Sequence, residues 1–252
     1  VAFWSRPPKV RSAFLTDVGR ARDHNEDAGA VVAPEPGAGR GFDAALVVCD
    51  GVGGHARGEV ASAKTVEHVR LALSSPGEAS LGERLRAAAS AADAELRAYA
   101  ARELDGALVG TTIVVAVVTG RTATIAHAGD SRAYLVRRGE ITVLTEDHSI
   151  VAAQVKAGLI LASEARQHPL RNRITRAVGL GDAVPLDVSE VPLERGDVLL
   201  LCSDGLHGLV EDREIAAAVA KDLERTARRL VDLANERGGT DNVTVALCRV
   251  ER

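Results

Sequence analysis

Apolar residues run through this chain in short blocks broken by glycine, aspartate and arginine. Alternating or continuous apolar stretches, VRSAFLTD, DAGAVVA, FDAALVVC, LVGTTIVVAVV, TATIAHA, RAYLVRR and EITVL, are rich in Val, Ile and Thr and predict strands. DVLLLCSD and NVTVALCRV predict two more near the end of the chain. Helical periodicity is clear in 81–104, where Leu81, Leu85, Ala88, Ala92, Leu96 and Tyr99 recur every 3 to 4 residues. It returns in 223–234 through Leu223, Ala227, Leu230 and Ala234, and Glu59 to Leu73 also predicts a helix. TGRT and RRGE separate successive strands as hairpin turns do, which makes the sheet largely antiparallel. After Asp147 the texture changes to short helices and loop, and PEPGAGRG at 34–41 predicts a loop. Strand groups enclosing helical segments predict an α+β layered fold, one domain over 10–252 preceded by an irregular arm at 1–9.

Composition narrows the function. Of 252 residues, 46% are hydrophobic and only 2% aromatic, so the core is built from Ala, Val, Leu and Ile, with no stacking platforms for bases or sugars. A net charge of −4 gives no general attraction to nucleic acid or to an anionic membrane. Cys49, Cys202 and Cys248 lie in apolar runs without a C-x-x-C pair, as reduced core cysteines of a cytoplasmic protein do. No apolar stretch approaches the ~20 residues of a membrane span. The absence of methionine predicts a fragment lacking its start, which leaves a membrane anchor outside it open.

The stretch LVVCDGVGGHARGEVAS at 46–62 carries the first candidate chemistry. Gly51, Gly53 and Ala56 satisfy G-x-G-x-x-[GA] between a strand and a helix. A dinucleotide site also needs a second strand ending in an acid about 20 residues on. Arg70 and Leu71 stand there instead, and Asp50 would repel a pyrophosphate. Asp-Gly is equally a turn dipeptide. The other strand ends weigh against a plain turn, for LLLCSD ends at Asp204, TATIAHAGD at Asp130, and GGTDNVTVALC begins at Asp241. The end of one antiparallel strand lies beside the start of its neighbour, so these four aspartates are expected on one edge. Two bare carboxylates about 4 Å apart repel by roughly 4 kcal/mol at an effective dielectric near 20. Such a cluster needs raised pKa values or cations, and an oxygen-only ligand set suits Mg²⁺ or Mn²⁺ rather than zinc. Upstream, TDVGRARDHNED joins an arginine, Arg22, whose planar fork suits a phosphate, to two further acids, Glu26 and Asp27.

TDVGRARDHNED, CDGVGGHARGEVAS, GTT at 110–112, AGDSRAYL, LTEDHS, HPLRNRITRAVG, LCSDGL and GGTDNVTV follow one another as in the metal-dependent protein phosphatases (PPM, type 2C), which the chain resembles over about residues 10–250. The likeness is to the bacterial serine/threonine branch. It implies a four-layer αββα sandwich, two mainly antiparallel sheets flanked by helices, with the site at one end. It also implies that Asp50 bridges two Mn²⁺ or Mg²⁺ ions and that the Gly51 carbonyl ligates one. Asp204 and Asp241 would complete the second, with Glu26 contacting through water. Asp27 would orient the attacking water and Arg22 grip the substrate phosphate. Asp130, sharing Asp204, would hold a third, weaker ion, and 147–178 would form a mobile flap. Two places depart from relatives. Val52 stands where many eukaryotic members carry a histidine proposed as general acid, a role not transferred to His55, and Gly208 stands where some carry a third-ion aspartate.

The activity so implied is hydrolysis of phosphoserine and phosphothreonine by a water bridging two metals, without a phosphoenzyme. A cysteine-phosphatase loop C-x₅-R is absent, since His55 and Gly208 follow Cys49 and Cys202 at that spacing, and G-x-S-x-G is absent too. The expected partners are phosphorylated proteins, Ser/Thr kinases and their substrates, met by a monomer without nucleic acid or membrane contact. The alternative is a pseudophosphatase that binds phosphoproteins without turnover. His24, His68, His127, His148 and His168 are expected to pack or hydrogen-bond, His148 and His168 beside the flap. His207 is expected to approach the metals.

Overall fold

The computed structural model describes residues 10–34, 41–52, 57–75, 79–181 and 184–251. The arm at 1–9, most of the PEPGAGRG loop, and Gly53, His55 and Ala56 of the glycine-rich stretch lie outside them. In chain order the elements are β1 (Val10–Asp17), β2 (Asp27–Val32), β3 (Ala44–Val52), α1 (Gly58–Ser74), α2 (Leu81–Glu103), β4 (Gly110–Thr111), β5 (Ile113–Thr119), β6 (Thr122–Ala128), β7 (Arg132–Arg137), β8 (Glu140–Val143), α3 (Ile150–Lys156), α4 (Ala162–Ala165), β9 (Asp187–Pro192), β10 (Val198–Cys202), α5 (Asp204–His207), α6 (Asp212–Ala218), α7 (Leu223–Glu236) and β11 (Val243–Val250).

All strand pairs are antiparallel, in two sheets: β1-β11-β10-β7-β8, and β2-β3-β5-β6-β9 with β4 added on β3. The alternation within β3 explains how they stack. Ala45, Val47 and Cys49 face α1 and α2, packing with Leu85, Ala89 and Leu96. Ala44, Leu46 and Val48 face the other sheet, against Leu199, Leu201 and Cys248. On the far side of that sheet, Leu200, Val245 and Leu247 pack with Ile215, Leu230 and Ala234 of α6 and α7. Helices therefore cover both outer faces, and the central strands are buried on both sides. This is why β5 and β10 read as unbroken apolar runs, while the edge strands β1 and β9 are half polar. Small side chains fill the inter-sheet layer, as a chain so poor in aromatics requires.

The expected helices form at α1, α2 and α7. The RRGE turn is a tight hairpin with Arg138 and Gly139 both at positive φ (55° and 85°), the mirror-image turn that suits twisted strands. Two features differ from the sequence pattern. The segment DVSEVP forms β9, a polar edge strand whose periodicity gives little signal. Successive strands β6 and β7 lie in different sheets, so the chain crosses the sandwich at Gly129–Ser131. Asp130 sits in that crossing.

Candidate metal centre

Each acid of the cluster stands at the same end of the sandwich because of where its strand stops. Asp27 opens β2 and is paired in register with Asp50 near the end of β3. Asp204 opens α5 directly after β10, and Asp241 precedes β11, the neighbour of β10. Ser203 joins the two sheets here: its Oγ donates to Asp27 Oδ2 (2.7 Å) and accepts from the Thr244 N–H (3.0 Å).

Backbone contacts fix the loop geometry. The Asp50 N–H donates to Thr112 Oγ1 (2.9 Å), while Thr111 Oγ1 and the Thr112 N–H both donate to the Asp50 carbonyl (2.8 Å each). Gly51 is required by close approach, since a Cβ there would meet the Gly58 carbonyl and lie 2.6 Å from the Glu26 carbonyl oxygen. The side-chain amide of Asn242 holds the loop bearing Arg22 and Glu26 at three points. Asn242 Nδ2 donates to the carbonyls of Val18 (2.9 Å) and His24 (3.0 Å), and its Oδ1 accepts from the Glu26 N–H (2.8 Å).

The electrostatics follow from burial. Desolvation pushes Asp50 well above the ordinary carboxylate range, and the charges of Asp27, Asp204, Asp130 and Asp241 push further. Asp27 is pushed up to about 7, by burial first, against the pull of hydrogen bonds from Thr244 and Ser203. Asp204 rises to about 6, again by burial first and then by Asp241. Burial also lifts Asp130, with Asp204 the next cause. Buried atoms Asp27 Oδ1 and Asp204 Oδ1 have no hydrogen-bond partner. A set of crowded carboxylates with orphaned buried oxygens fits hard divalent cations, which would supply both the missing partners and the missing charge.

Arg22 lies at the rim, donating from Nη2 to Asp241 Oδ2 (2.8 Å), a contact that raises its pKa. His207 does approach the cluster, its Nε2 bonding the Asp130 carbonyl (3.0 Å); burial holds its pKa down at about 3, so the ring is neutral and donates. His148 bonds Gly129 twice, accepting from its N–H at Nδ1 (3.1 Å) and donating its own N–H to its carbonyl (3.0 Å). His127, His148 and Asp187 present ligand atoms within 4.8 Å of one another. They do not fit a cation. His127 Nε2 meets the Glu146 carbonyl, both His148 nitrogens are engaged, and Arg176 Nη1 already holds Asp187 (2.7 Å). A third grouping, His24, Glu26 and Glu59, borders the centre at Glu26. Sequence pattern alone missed Ser203 and Asn242 as partners of the site; their one signal is adjacency to Asp204 and Asp241 in LCSDGL and GGTDNV.

Comparison with known proteins agrees with the geometry. The family model described as "Protein phosphatase 2C" matches residues 14–154. The serine/threonine phosphatase Stp of Listeria monocytogenes is 36% identical over 249 residues, 96% of each chain. Serine/threonine phosphatase Stp1 from Staphylococcus aureus superposes with a TM-score of 0.89 at 33% identity, over 100% of this chain and 99% of that one. The catalytic domain of the phosphatase PstP, solved with two manganese ions, gives a TM-score of 0.82 at 35% identity, over 96% and 99%.

Proposed function

The chain belongs to the protein phosphatase 2C family, and we propose that its carboxylate centre, with Asp50 bridging two divalent cations, is where phosphoserine and phosphothreonine of substrate proteins are hydrolysed. It is a protein serine/threonine phosphatase that depends on Mn²⁺ or Mg²⁺.

When bound, the ions supply a water acidified toward neutrality and a positive field for the phosphoryl oxygens. The protein's own groups do the rest. Asp50 would be shared by the two ions, the Gly51 carbonyl would help hold one, Asp204 and Asp241 would help hold the other, and Glu26 would reach the centre through water. Asp27 is gripped at Oδ2 by Ser203, which leaves Oδ1 to orient the attacking water. Arg22 keeps donors to spare beside Asp241 and offers its fork to the phosphate. Asp130 and Asp204 would be the residues for a third ion, to which Gly208 adds no carboxylate. Val52 offers no acid, so protonation of the leaving group would fall to the chemistry that the bound ions supply. Neither Cys49 nor Cys202 serves as nucleophile, since complete burial pushes both thiols far above neutrality.

The reading extends to residues 10–252 acting as one catalytic unit, a cytoplasmic monomer that opposes Ser/Thr kinases. Three buried, unpaired cysteines suit a reducing compartment. No helix among the described residues is long and apolar enough to cross a membrane.

One observation carries the reading: acids from five chain segments, Asp27 and Asp130 buried and Asp50, Asp204 and Asp241 half-buried, crowd one end of the sandwich, and two of their oxygens lack partners. The test is phosphate release from a phosphothreonine peptide in Mn²⁺. Asp50→Asn should lower it by at least ~100-fold, beyond the 10–100-fold typical of groups that only support a ligand. Undiminished release by that variant, or by chelated protein, contradicts the reading.

A further inference from the structure

Beside the metal centre, a cavity of about 610 Å³ opens between the flap and the body of the protein. Asp130 and Asp204 line it on one side, so it adjoins the carboxylate centre. The flap side presents Val151 and Val155 of α3, Ala165 of α4, and the guanidinium groups of Arg166 and Arg171. The volume lies within the roughly 300–1,000 Å³ that ligand sites occupy.

The charges around this cavity do not cancel evenly. Asp147 is satisfied by Arg132 through two bonds (2.8 and 2.7 Å), and Asp212 accepts from Tyr134 Oη (3.2 Å). Lys156 pairs with Glu146 (2.6 Å). Asp130 and Asp204 belong to the cation centre. Arg166 and Arg171 remain, with no carboxylate at ion-pair distance among the described residues. Both line the cavity. What stays open to a visitor is therefore an apolar shelf beside two uncommitted cations, next to the reacting centre.

From this juxtaposition we infer that the cavity seats the substrate segment flanking the phosphorylated residue, and that Arg166 and Arg171 select an acidic side chain or a second phosphate there. The inference rests on the phosphatase reading. A guanidinium meets a carboxylate or phosphate through paired N–H donors, while a basic flank would face two like charges. Free ion pairs of this kind are screened, so the selection weakens as salt rises.

The test compares kcat/KM for phosphothreonine peptides whose flanks carry glutamate, alanine or lysine, in the unmodified protein and in Arg166→Gln/Arg171→Gln. An aryl phosphate, too small to span the cavity, is measured alongside. The unmodified protein should prefer the acidic peptide over the alanine peptide by about tenfold at low salt, equivalent to ~1.4 kcal/mol. The double variant should lose that preference, with aryl phosphate hydrolysis held within about twofold. Equal kcat/KM for acidic and neutral peptides in the unmodified protein overturns the inference, as does a preference that survives in the double variant. If the unmodified protein hydrolyses neither the peptides nor the aryl phosphate in Mn²⁺, the phosphatase reading fails and takes the inference with it.

Discussion

Ser203 shows how much of a metal centre depends on residues that are not ligands. Its hydroxyl is the one side-chain link from β10 to Asp27, and it is held in line by the Thr244 N–H. Ser203→Ala removes a donor from Asp27 Oδ2 beside an Oδ1 that already lacks one. The expected result is a 10–100-fold loss of kcat in Mn²⁺ with KM for a phosphopeptide little changed, since Arg22 is untouched. Equal falls in substrate affinity would place Ser203 in a different role. At this scale the acids were legible in the sequence, because Asp50, Asp130, Asp204 and Asp241 each mark a strand end beside glycine or asparagine. Ser203 and Asn242 were not, because their importance lies in partners some 176 and 216 to 224 residues away along the chain. No local pattern encodes a contact of that kind.

Among the elements, the apolar pattern served best where a strand is covered on both faces or a helix lies on a sheet. Helix α2 is an example: its stripe of Leu85, Ala88, Ala92 and Leu96 was visible by period, and all four are buried in the layer that α2 shares with α1 and the sheet containing β6. Ser80 and Glu83 close its start with a capping box that the period alone did not locate. Leu96→Ala removes a fully buried side chain from that layer and should cost about 2–5 kcal/mol, read from urea unfolding midpoints, without altering the metal dependence of the folded fraction. A cost under ~1 kcal/mol would show that the layer collapses around the gap. Strand β9 escaped the pattern because exposed Asp187, Ser189 and Glu190 leave polar residues on both of its faces. The sheet change between β6 and β7 was equally hidden, for a short Gly-Asp-Ser connection reads like any hairpin. Tertiary packing decides which sheet receives the next strand.

For the molecule as a whole, the two-sheet sandwich gathers charge that it cannot tolerate alone. Asp27, Asp50, Asp130 and Asp204 have pKa values above the ordinary carboxylate range, at about 7 for Asp27 and about 6 for Asp204. Without metal, the folded chain therefore binds more protons than the unfolded chain between about pH 4 and pH 7. That contribution to stability is present in full below the unfolded carboxylate pKa and is lost as pH rises through the folded values. Cations replace the protons at neutral pH. Thermal unfolding of chelated and Mn²⁺-loaded protein should thus diverge more at pH 7.5 than at pH 5, with Mn²⁺ raising Tm. A larger metal effect in acid would contradict this picture. The layered fold and the cluster were both foreshadowed by the sequence, whereas the uncommitted arginines over the cavity emerged only once the flap was placed against the core.

The most direct measurement is equilibrium binding of Mn²⁺ to the stripped protein, followed alongside phosphate release. If the buried acids exist to hold a pair of ions, the unmodified chain binds at least two per molecule and turns on as they fill. Asp50→Asn, still folded by circular dichroism, should then lose both ions together with activity. A variant that keeps the same stoichiometry and affinity, or a stripped protein that takes up no Mn²⁺, would show that the carboxylates meet for some other reason.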